Sequence, residues 1–371
     1  MAEKGAGKSK SCVGTIARAL VGLSGGLALL ISLSAQWIPP DVIMFPALFG
    51  IAFPVIFLLN VIGLFFFFII ASRWKWIQLA LLLLAIPMVM RYVHFNFSEK
   101  SDSFPIRVMT FNTHMMGYYD KVSPDGIRSD ILEMIKREDC QIICLQEFFH
   151  TDKKGHFATT DSIRSIFPEI QTHMRYTHAL SQKRFFGIVI FSRYPILATG
   201  EIPYENETGN HCIWADVLVG SDTLRVINAH LQSIHLKPED YAVAEGETQA
   251  HELDDAGKRI GKRLASAFVK RADQARRIRE HIDACRYPVV VCGDFNDTPA
   301  SFAYQEMRGD LTDAFMECGN GVGATYNGSF PGLRIDYLLH DPALICGECR
   351  VVDKELSDHF PVVGHFKMKK Q

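Results

Sequence analysis

Three long, predominantly apolar stretches near the N-terminus restrict what the first quarter of this chain can become. They cover residues 19–38, 43–71 and 74–93, and the third reaches this length only if Arg91 extends towards a membrane surface. A helix needs about 20 apolar residues to cross the hydrocarbon core of a bilayer. The sequence therefore predicts a transmembrane anchor of about three helices within residues 1–94. A cleaved signal peptide is the alternative for the first stretch, but Leu33-Ser34-Ala35 near its end is a poor cleavage signal.

Positive charge is distributed unevenly around these stretches. Four basic residues precede the first stretch, two lie between the second and the third, and the connection 36–42 has none. Because cytoplasmic loops are enriched in Lys and Arg, the N-terminus and the second connection are expected in the cytoplasm. Three crossings then place residue 95 and those after it outside, on the periplasmic face if this is a bacterial inner membrane. The lipid bilayer is the predicted partner of this region, and no protein partner is inferred.

The rest of the chain has the composition of an ordinary folded domain. Residues 1–94 contain seven of the 39 Lys and Arg and two of the 41 Asp and Glu, which leaves the other 277 residues with a net charge of −7. This charge does not favour a nucleic-acid surface, although a bound metal ion can supply local positive potential. A polar segment suggests a linker at 95–105, followed by a domain at 106–371.

Strand and helix patterns alternate in residues 106–371. Predicted strands, rich in β-branched and aromatic residues, cover 106–111, 141–145, 187–191, 212–219, 223–229, 288–292, 335–339, 345–352 and 362–367. One helix begins near Pro124, and a long charged helix covers about 261–284. Many strands with a few helices between them favour two sheets packed face to face and covered by helices.

Acidic, amide and imidazole side chains follow several of these strands. Gly293-Asp294-Phe295-Asn296-Asp297 comes directly after one apolar strand, and Ser357-Asp358-His359-Phe360-Pro361 precedes another. Oxygen ligands hold hard divalent cations, and a histidine transfers protons or stabilises developing charge. Together these residue types predict the cleavage of phosphate esters.

Six short motifs in this order resemble the series that defines the endonuclease/exonuclease/phosphatase superfamily. They are Thr110-Phe111-Asn112, Leu145-Gln146-Glu147, Asn228-Ala229-His230-Leu231, Gly293-Asp294-Phe295-Asn296, Ile335-Asp336-Tyr337 and Ser357-Asp358-His359-Phe360-Pro361. The resemblance extends from about residue 106 to 366. It implies an α/β fold, a four-layer αββα sandwich of two packed mixed sheets, with the site at one edge. At Ile188 many members have a polar Asn, so no phosphate contact is expected there.

The resemblance also assigns roles, and the residues support them. Glu147 is expected to end an apolar strand and bind Mg²⁺ or Mn²⁺, with Asn112 and Asp358 as further ligands. Asn112 and Asn296 are expected to contact the phosphate. The catalytic set is His230, Asp294, Asp336 and His359, in which Asp336 is expected to hold His230 in one tautomer. Asp294 and Asn296 lie two residues apart, so extended backbone would place both side chains on one side.

The expected activity is that of a membrane-anchored, metal-dependent phosphodiesterase of the nuclease type. Two alternatives remain: cleavage of phospholipid or sphingomyelin head groups, and a non-catalytic binding protein on the same fold. His114 and Arg334 are further candidates near the site, the latter equally consistent with a surface salt bridge. The acidic segment 236–262 is either a solvated loop or a flap over the substrate. Cys346 and Cys349 are interpreted as two cysteines of one strand, and the partner of any disulfide is not predicted.

Overall fold

The computed structural model describes residues 22–70, 72–96, 104–119, 123–152, 157–181, 184–205, 209–234, 253–328 and 332–369. The chain divides into two compact units. One comprises the chain up to residue 90 together with 300–302, and the other comprises 91–299 and 303–371. The four N-terminal basic residues, most of the linker and most of the acidic segment lie outside the described residues.

The N-terminal unit is helical. Its described helices are α1 (Gly22–Ser34), α2 (Phe45–Ile51), α3 (Phe53–Ile69) and α4 (Trp74–Val89). The predicted stretch 43–71 is thus two helices, bent by 74°. Pro54 lies in the first turn of α3, where proline is tolerated, but it cannot continue α2.

No described helix is by itself both long enough and apolar enough to cross a membrane, whereas the bent pair α2 and α3 meets both requirements together. The third predicted stretch is helical only as far as Val89. Membrane anchoring therefore stays a prediction.

The C-terminal unit contains two six-stranded sheets. Its strands are β1 (Val93–His94), β2 (Ile106–Asn112), β3 (Ile142–Thr151), β4 (Gln171–Ser181), β5 (Arg184–Ser192), β6 (Ile196–Ile202), β7 (Cys212–Val219), β8 (Asp222–His230), β9 (Val289–Asp294), β10 (Thr312–Asp313), β11 (Gly321–Val322), β12 (Asp336–His340), β13 (Leu344–Val351) and β14 (Val362–Met368). The helices of this part of the chain are α5 (Pro124–Glu138), α6 (Thr159–Ile166), α7 (Leu253–Asp283), α8 (Phe302–Arg308) and α9 (Ala314–Cys318).

Both sheets are mixed. One has the strand order β13-β14-β2-β3-β5-β4 and the other β10-β12-β9-β8-β7-β6. Each contains one parallel pair, β2 with β3 and β8 with β9, among antiparallel neighbours. Side chains of both sheets share one core, in which Val108 and Ile190 pack with Val226. The prediction of two packed mixed sheets is confirmed.

Helices cover the outer faces of the two sheets. Ile131 and Ile135 of α5 belong to the core on the outer side of the first sheet. Ile278 and Ile282 of α7 belong to the core on the outer side of the second. This layering agrees with the predicted α/β sandwich.

Two of the longer strands, β4 and β6, were not predicted, and both lie at sheet edges. The two-residue strands β1, β10 and β11 were not predicted either. Most of the side chains of β6 are exposed or half-buried, so its sequence lacks the apolar alternation of a buried strand. The predicted helix 261–284 begins earlier, at Leu253. A disulfide joins Cys318 of α9 to Cys346 of β13.

Candidate active site

Strand pairing brings the predicted residues of the second sheet together. His230 ends β8 and is the parallel partner of Asp294, which ends β9. Asp336 begins β12 and is the antiparallel partner of the same Asp294. Three site residues are therefore adjacent because of sheet register alone.

A hydrogen bond connects this group to the other sheet. Asn112 ends β2, and its Nδ2 donates to Oδ2 of Asp294 over 3.0 Å. Both side chains are almost completely buried. Burial raises the pKa of Asp294. The positive field of His359 and this hydrogen bond lower the same pKa and so oppose the effect of burial. A buried carboxylate needs such partners.

Asp336 orients a different histidine from the one expected. Its Oδ2 lies 2.9 Å from Nδ1 of His359, whereas His230 has its Nε2 3.6 Å from Oδ2 of Asp294. The prediction that Asp336 holds His230 is thus wrong. The reason is that His359, from the loop before β14, lies over the start of β12, and its pairing could not be read from strand order.

The environment of His359 favours the imidazolium form. Burial lowers its pKa, but the negative fields of Asp336 and Asp294 and the hydrogen bond to Asp336 raise it to about 10. Its Nε2 lies 3.7 Å from Oδ2 of Asp294. The ring of Tyr326 packs against it, with centroids 5.1 Å apart. His359 is therefore a fixed cation beside Asp294.

Asp294 and Asn296 are adjacent, but not through extended backbone. The N–H of Asn296 donates to Oδ1 of Asp294 over 2.8 Å, and its Nδ2 donates to Oδ2 over 3.1 Å. Asn296 has a φ of 52°, a left-handed conformation that Asn tolerates better than most residues. The expected extended geometry is wrong, and an Asx turn produces the proximity.

Glu147 lies inside β3 and not at its end. The pairing of β3 with β5 shifts between Leu145 and Phe148, and Glu147 has a φ of 48° at this bulge. A β-bulge redirects one side chain while the strand continues. Thr113 Oγ1 donates to the carbonyl of Glu147 over 3.0 Å, which fixes the bulge beside Asn112. Burial raises the pKa of Glu147.

Asp358 faces the same edge and contacts His114. His114 Nδ1 lies 3.3 Å from Oδ1 of Asp358, and the imidazole is 58% exposed. Burial would raise the pKa of Asp358, but the hydrogen bond from His114 and the field of His359 lower it to about 2. Ser357 Oγ donates to the carbonyl of Asn112 over 2.9 Å and thereby attaches this loop to β2. His114 thus lies at the site, as its position two residues after Asn112 allowed.

Arg334 takes neither of its two expected roles. Its guanidinium is buried and donates to both carboxylate oxygens of Asp313, at 2.5 and 2.7 Å. A supporting residue that the sequence reasoning missed is Thr325, whose Oγ1 accepts from the N–H groups of Ile335 and Asp336. An isolated Thr in a loop carries no sequence signal for this role.

Two groups of side chains could hold a metal ion. Asp294, Asp336 and His359 offer ligand atoms that all lie within 4.8 Å of one another. An imidazolium has no free lone pair, however, so His359 in its favoured form is a poor ligand. Burial is the main cause of the raised pKa of Glu147, and the positive field of His114 opposes it. The negative field of Asp358 raises this pKa further, so the two carboxylates lie near each other. Glu147 and Asp358 therefore fit a divalent cation better.

A statistical model of the Endonuclease/Exonuclease/phosphatase family matches residues 109–359. The chain belongs to this family. The match covers every residue of the described site, from Asn112 to His359. Residues 19–92 match a separate model, that of a domain of unknown function. Comparison with curated proteins found no match.

Solved structures show the same fold at low sequence identity. A family protein from Leptotrichia buccalis aligns with a TM-score of 0.51 and 15% identity, over 71% of this chain and all of the other. The human Nocturnin catalytic domain, solved with bound sulfate, aligns with a TM-score of 0.52 and 18% identity, over 73% of this chain and 97% of the other. A family protein from Bacteroides vulgatus aligns with a TM-score of 0.50 and 19% identity, over 71% and 99%.

Proposed function

We propose that this protein is a membrane-anchored phosphodiesterase that depends on Mg²⁺ or Mn²⁺ and acts on a nucleic acid or a related phosphodiester. One observation carries the proposal: four polar side chains converge on a single oxygen, Oδ2 of Asp294. Asn112, Asn296, His230 and His359 lie 3.0, 3.1, 3.6 and 3.7 Å from it. A carboxylate held in this way can orient an attacking water and accept its proton.

Glu147, Asn112 and Asp358 would hold the metal ion, because they supply the carboxylate and amide oxygens that Mg²⁺ and Mn²⁺ prefer. Such an ion neutralises the charge that develops on phosphate oxygens during displacement. The bulge at Glu147 supports this assignment, because it redirects a carboxylate that would otherwise follow the alternation of β3.

Three residues of the chain, His359, Asn296 and His230, would take the remaining catalytic roles. His359, kept positive by Asp336, would donate a hydrogen bond to a phosphate oxygen and stabilise its negative charge. The Nδ2 of Asn296 donates to Asp294 and to the carbonyl of Leu231. Asn296 would therefore fix the position of the Asp294 carboxylate relative to the phosphate. His230 is close enough to Asp294 to share the proton taken from water.

The membrane anchor is part of the proposal. Most of the exposed large apolar side chains among the described residues belong to 22–95, including Leu27, Leu59 and Phe65. Apolar surface of this extent is stable in lipid and costly in water. A disulfide between Cys318 and Cys346 supports an extracytoplasmic catalytic domain, since disulfides persist in oxidising compartments. The same anchor favours the second candidate substrate, a phospholipid head group, because it would keep the site near a bilayer.

The test is an assay of the full-length chain in detergent against DNA, RNA, sphingomyelin and phosphatidylglycerol, with Mg²⁺ or with EDTA. We expect metal-dependent turnover of at least one substrate, and loss of that turnover in Asp294→Asn and His359→Ala. Asp353→Ala, an exposed aspartate before the site loop, is the matched control and should retain activity. Turnover that persists in Asp294→Asn would contradict the proposed function.

A further inference from the structure

One buried cation near the site has no part in the chemistry described so far. Arg271 of helix α7 is 0% exposed and is the largest fully buried side chain among the described residues. Its Nε lies 3.4 Å from Oδ2 of Asp297, and its guanidinium lies 4.8 Å from the ring centre of Phe268. Its nitrogens form no hydrogen bond to a described residue. A buried guanidinium is costly unless its charge is compensated, so its position calls for an explanation.

Asp297 is the last residue of the turn that carries Asp294 and Asn296. Its Oδ1 accepts the N–H of Thr298 over 3.0 Å, and its carbonyl accepts the hydroxyl of Tyr337 over 2.8 Å. Its side chain is 3% exposed. The end of the turn formed by residues 294–297 is therefore held by a hydrogen bond from Tyr337 of β12 and by the ion pair with Arg271.

The same face of α7 also forms a hydrogen bond with the segment that follows His230. Gln274 lies one helical turn after Arg271, and its Oε1 accepts the N–H of Gln232 over 2.8 Å. The neighbouring carbonyl of Leu231 accepts Nδ2 of Asn296 over 3.0 Å. Two residues of α7 thus hold the two chain segments that leave β8 and β9.

We propose that Arg271 is a positioning residue: through Asp297 it holds the turn that aims Asp294, and with Gln274 it couples that turn to His230. The inference rests on the proposed function. Charge is essential to this role, since the pair has an electrostatic contact without a hydrogen bond. Burial lowers the pKa of Arg271, and the fields of Asp297 and Asp294 oppose this, in agreement with the two carboxylates being the groups it compensates.

The test compares Arg271→Met, Arg271→Lys and Asp297→Asn in the full-length chain in detergent, with bis(4-nitrophenyl) phosphate and Mn²⁺. We expect kcat to fall roughly 10- to 100-fold in Arg271→Met with KM changed less than about threefold, because supporting residues act on geometry. Arg271→Lys keeps the charge and should recover most of the loss. The control is Arg277→Met, which removes a half-buried charge from the same helix, where Arg277 pairs with Asp273.

A double variant separates positioning from general stability. If Arg271 acts through Asp297, then Arg271→Met with Asp297→Asn should have a kcat no lower than that of either single variant. A wild-type kcat in Arg271→Met, a change in KM alone, or an equal loss in Arg271→Lys would overturn the inference. If Arg271→Met does not fold, Asp297→Asn, which preserves the shape of the side chain, is measured instead. Its kcat should then fall while its KM changes little, and a wild-type kcat or a change in KM alone would overturn the inference.

A crystal structure of the variant gives a readout that needs no turnover. We expect the turn in Asp297→Asn to move so that the 3.0 Å hydrogen bond from Asn112 to Asp294 lengthens or breaks. An unchanged hydrogen bond and turn would overturn the inference. A wild-type chain that hydrolyses no phosphodiester would instead contradict the proposed function, and the crystal structure would then test the role of Arg271 alone.

Discussion

The two compact units of this protein differ in the side chains that they expose. In the N-terminal unit Leu59 is 60% exposed, while the neighbouring Asn60 is 3% exposed. In the C-terminal unit large apolar residues such as Phe111 and Val290 are completely buried, and most large apolar side chains are kept from the surface. Under the proposed membrane anchoring, the exposed apolar side chains of the N-terminal unit would face lipid. Lipid removes the hydrophobic force between helices and leaves packing and polar contacts to hold them together, whereas the C-terminal unit relies on apolar burial from water.

The largest effect is expected from a charge in the C-terminal unit. Glu147→Gln preserves size but removes the carboxylate assigned to the metal, so kcat/KM should fall about 10³-fold, which is about 4 kcal/mol, and more metal should be required. The measurement is turnover against Mg²⁺ or Mn²⁺ concentration. Glu355→Gln, at an exposed glutamate of the loop between β13 and β14, is the control and should behave like the wild type. Equal activity in the two variants would show that Glu147 is not a metal ligand of this site.

The disulfide tests the stability of the C-terminal unit separately. Cys318 and Cys346 are 28 residues apart, so a Cys318→Ser, Cys346→Ser variant should lose roughly 3–4 kcal/mol through the entropy of the unfolded chain. Denaturant unfolding of the wild type with and without reductant measures the effect. Cys285→Ser removes a free, half-buried thiol and should change the free energy of unfolding by less than about 1 kcal/mol. A variant as stable as the wild type would mean that the bond does not form.

The pair of Asp336 and His359 predicts how stability depends on pH. The pKa of His359 is raised to about 10 in the folded state from an unfolded value of about 6.5. Its contribution is thus fully present below pH 6.5 and is lost as the pH rises through about 10. In EDTA, the free energy of unfolding should fall over this range by a few kcal/mol, and Asp336→Asn should flatten the curve. A wild-type curve that rises towards pH 10 would contradict the assignment.

The smallest effect concerns the interior of the N-terminal unit. Gln78 Nε2 donates to both the carbonyl and Oδ1 of Asn60, which joins α3 to α4. Asn60→Leu should destabilise the unit by about 1 kcal/mol in detergent or bilayers, whereas Leu59→Ala should have almost no effect because Leu59 faces outward. Unfolding in SDS titrations measures both. The opposite order would indicate that this unit packs as a water-soluble domain does.

Much of the fold could be predicted because strand periodicity and ordered motifs are local signals. Val289–Asp294 was recognised from its apolar run and from the polar residues that follow it. The edge strand Ile196–Ile202 was missed because an exposed strand has little reason to alternate. The hydropathy of residues 43–71 predicts one continuous stretch, whereas the structure has the bent pair Phe45–Ile51 and Phe53–Ile69, because hydropathy does not reveal the break near Pro54.

Residue order alone was enough to name the family, the strands that matter and the side chains at their ends, because each of these is written in a few consecutive residues. The choice of partners depended on the folded chain. Asp336 meets His359 and not His230, and Glu147 projects from a bulge inside β3. Register, bulges and loop paths place these groups within a few ångströms, and such distances arise from packing between segments that are far apart along the chain.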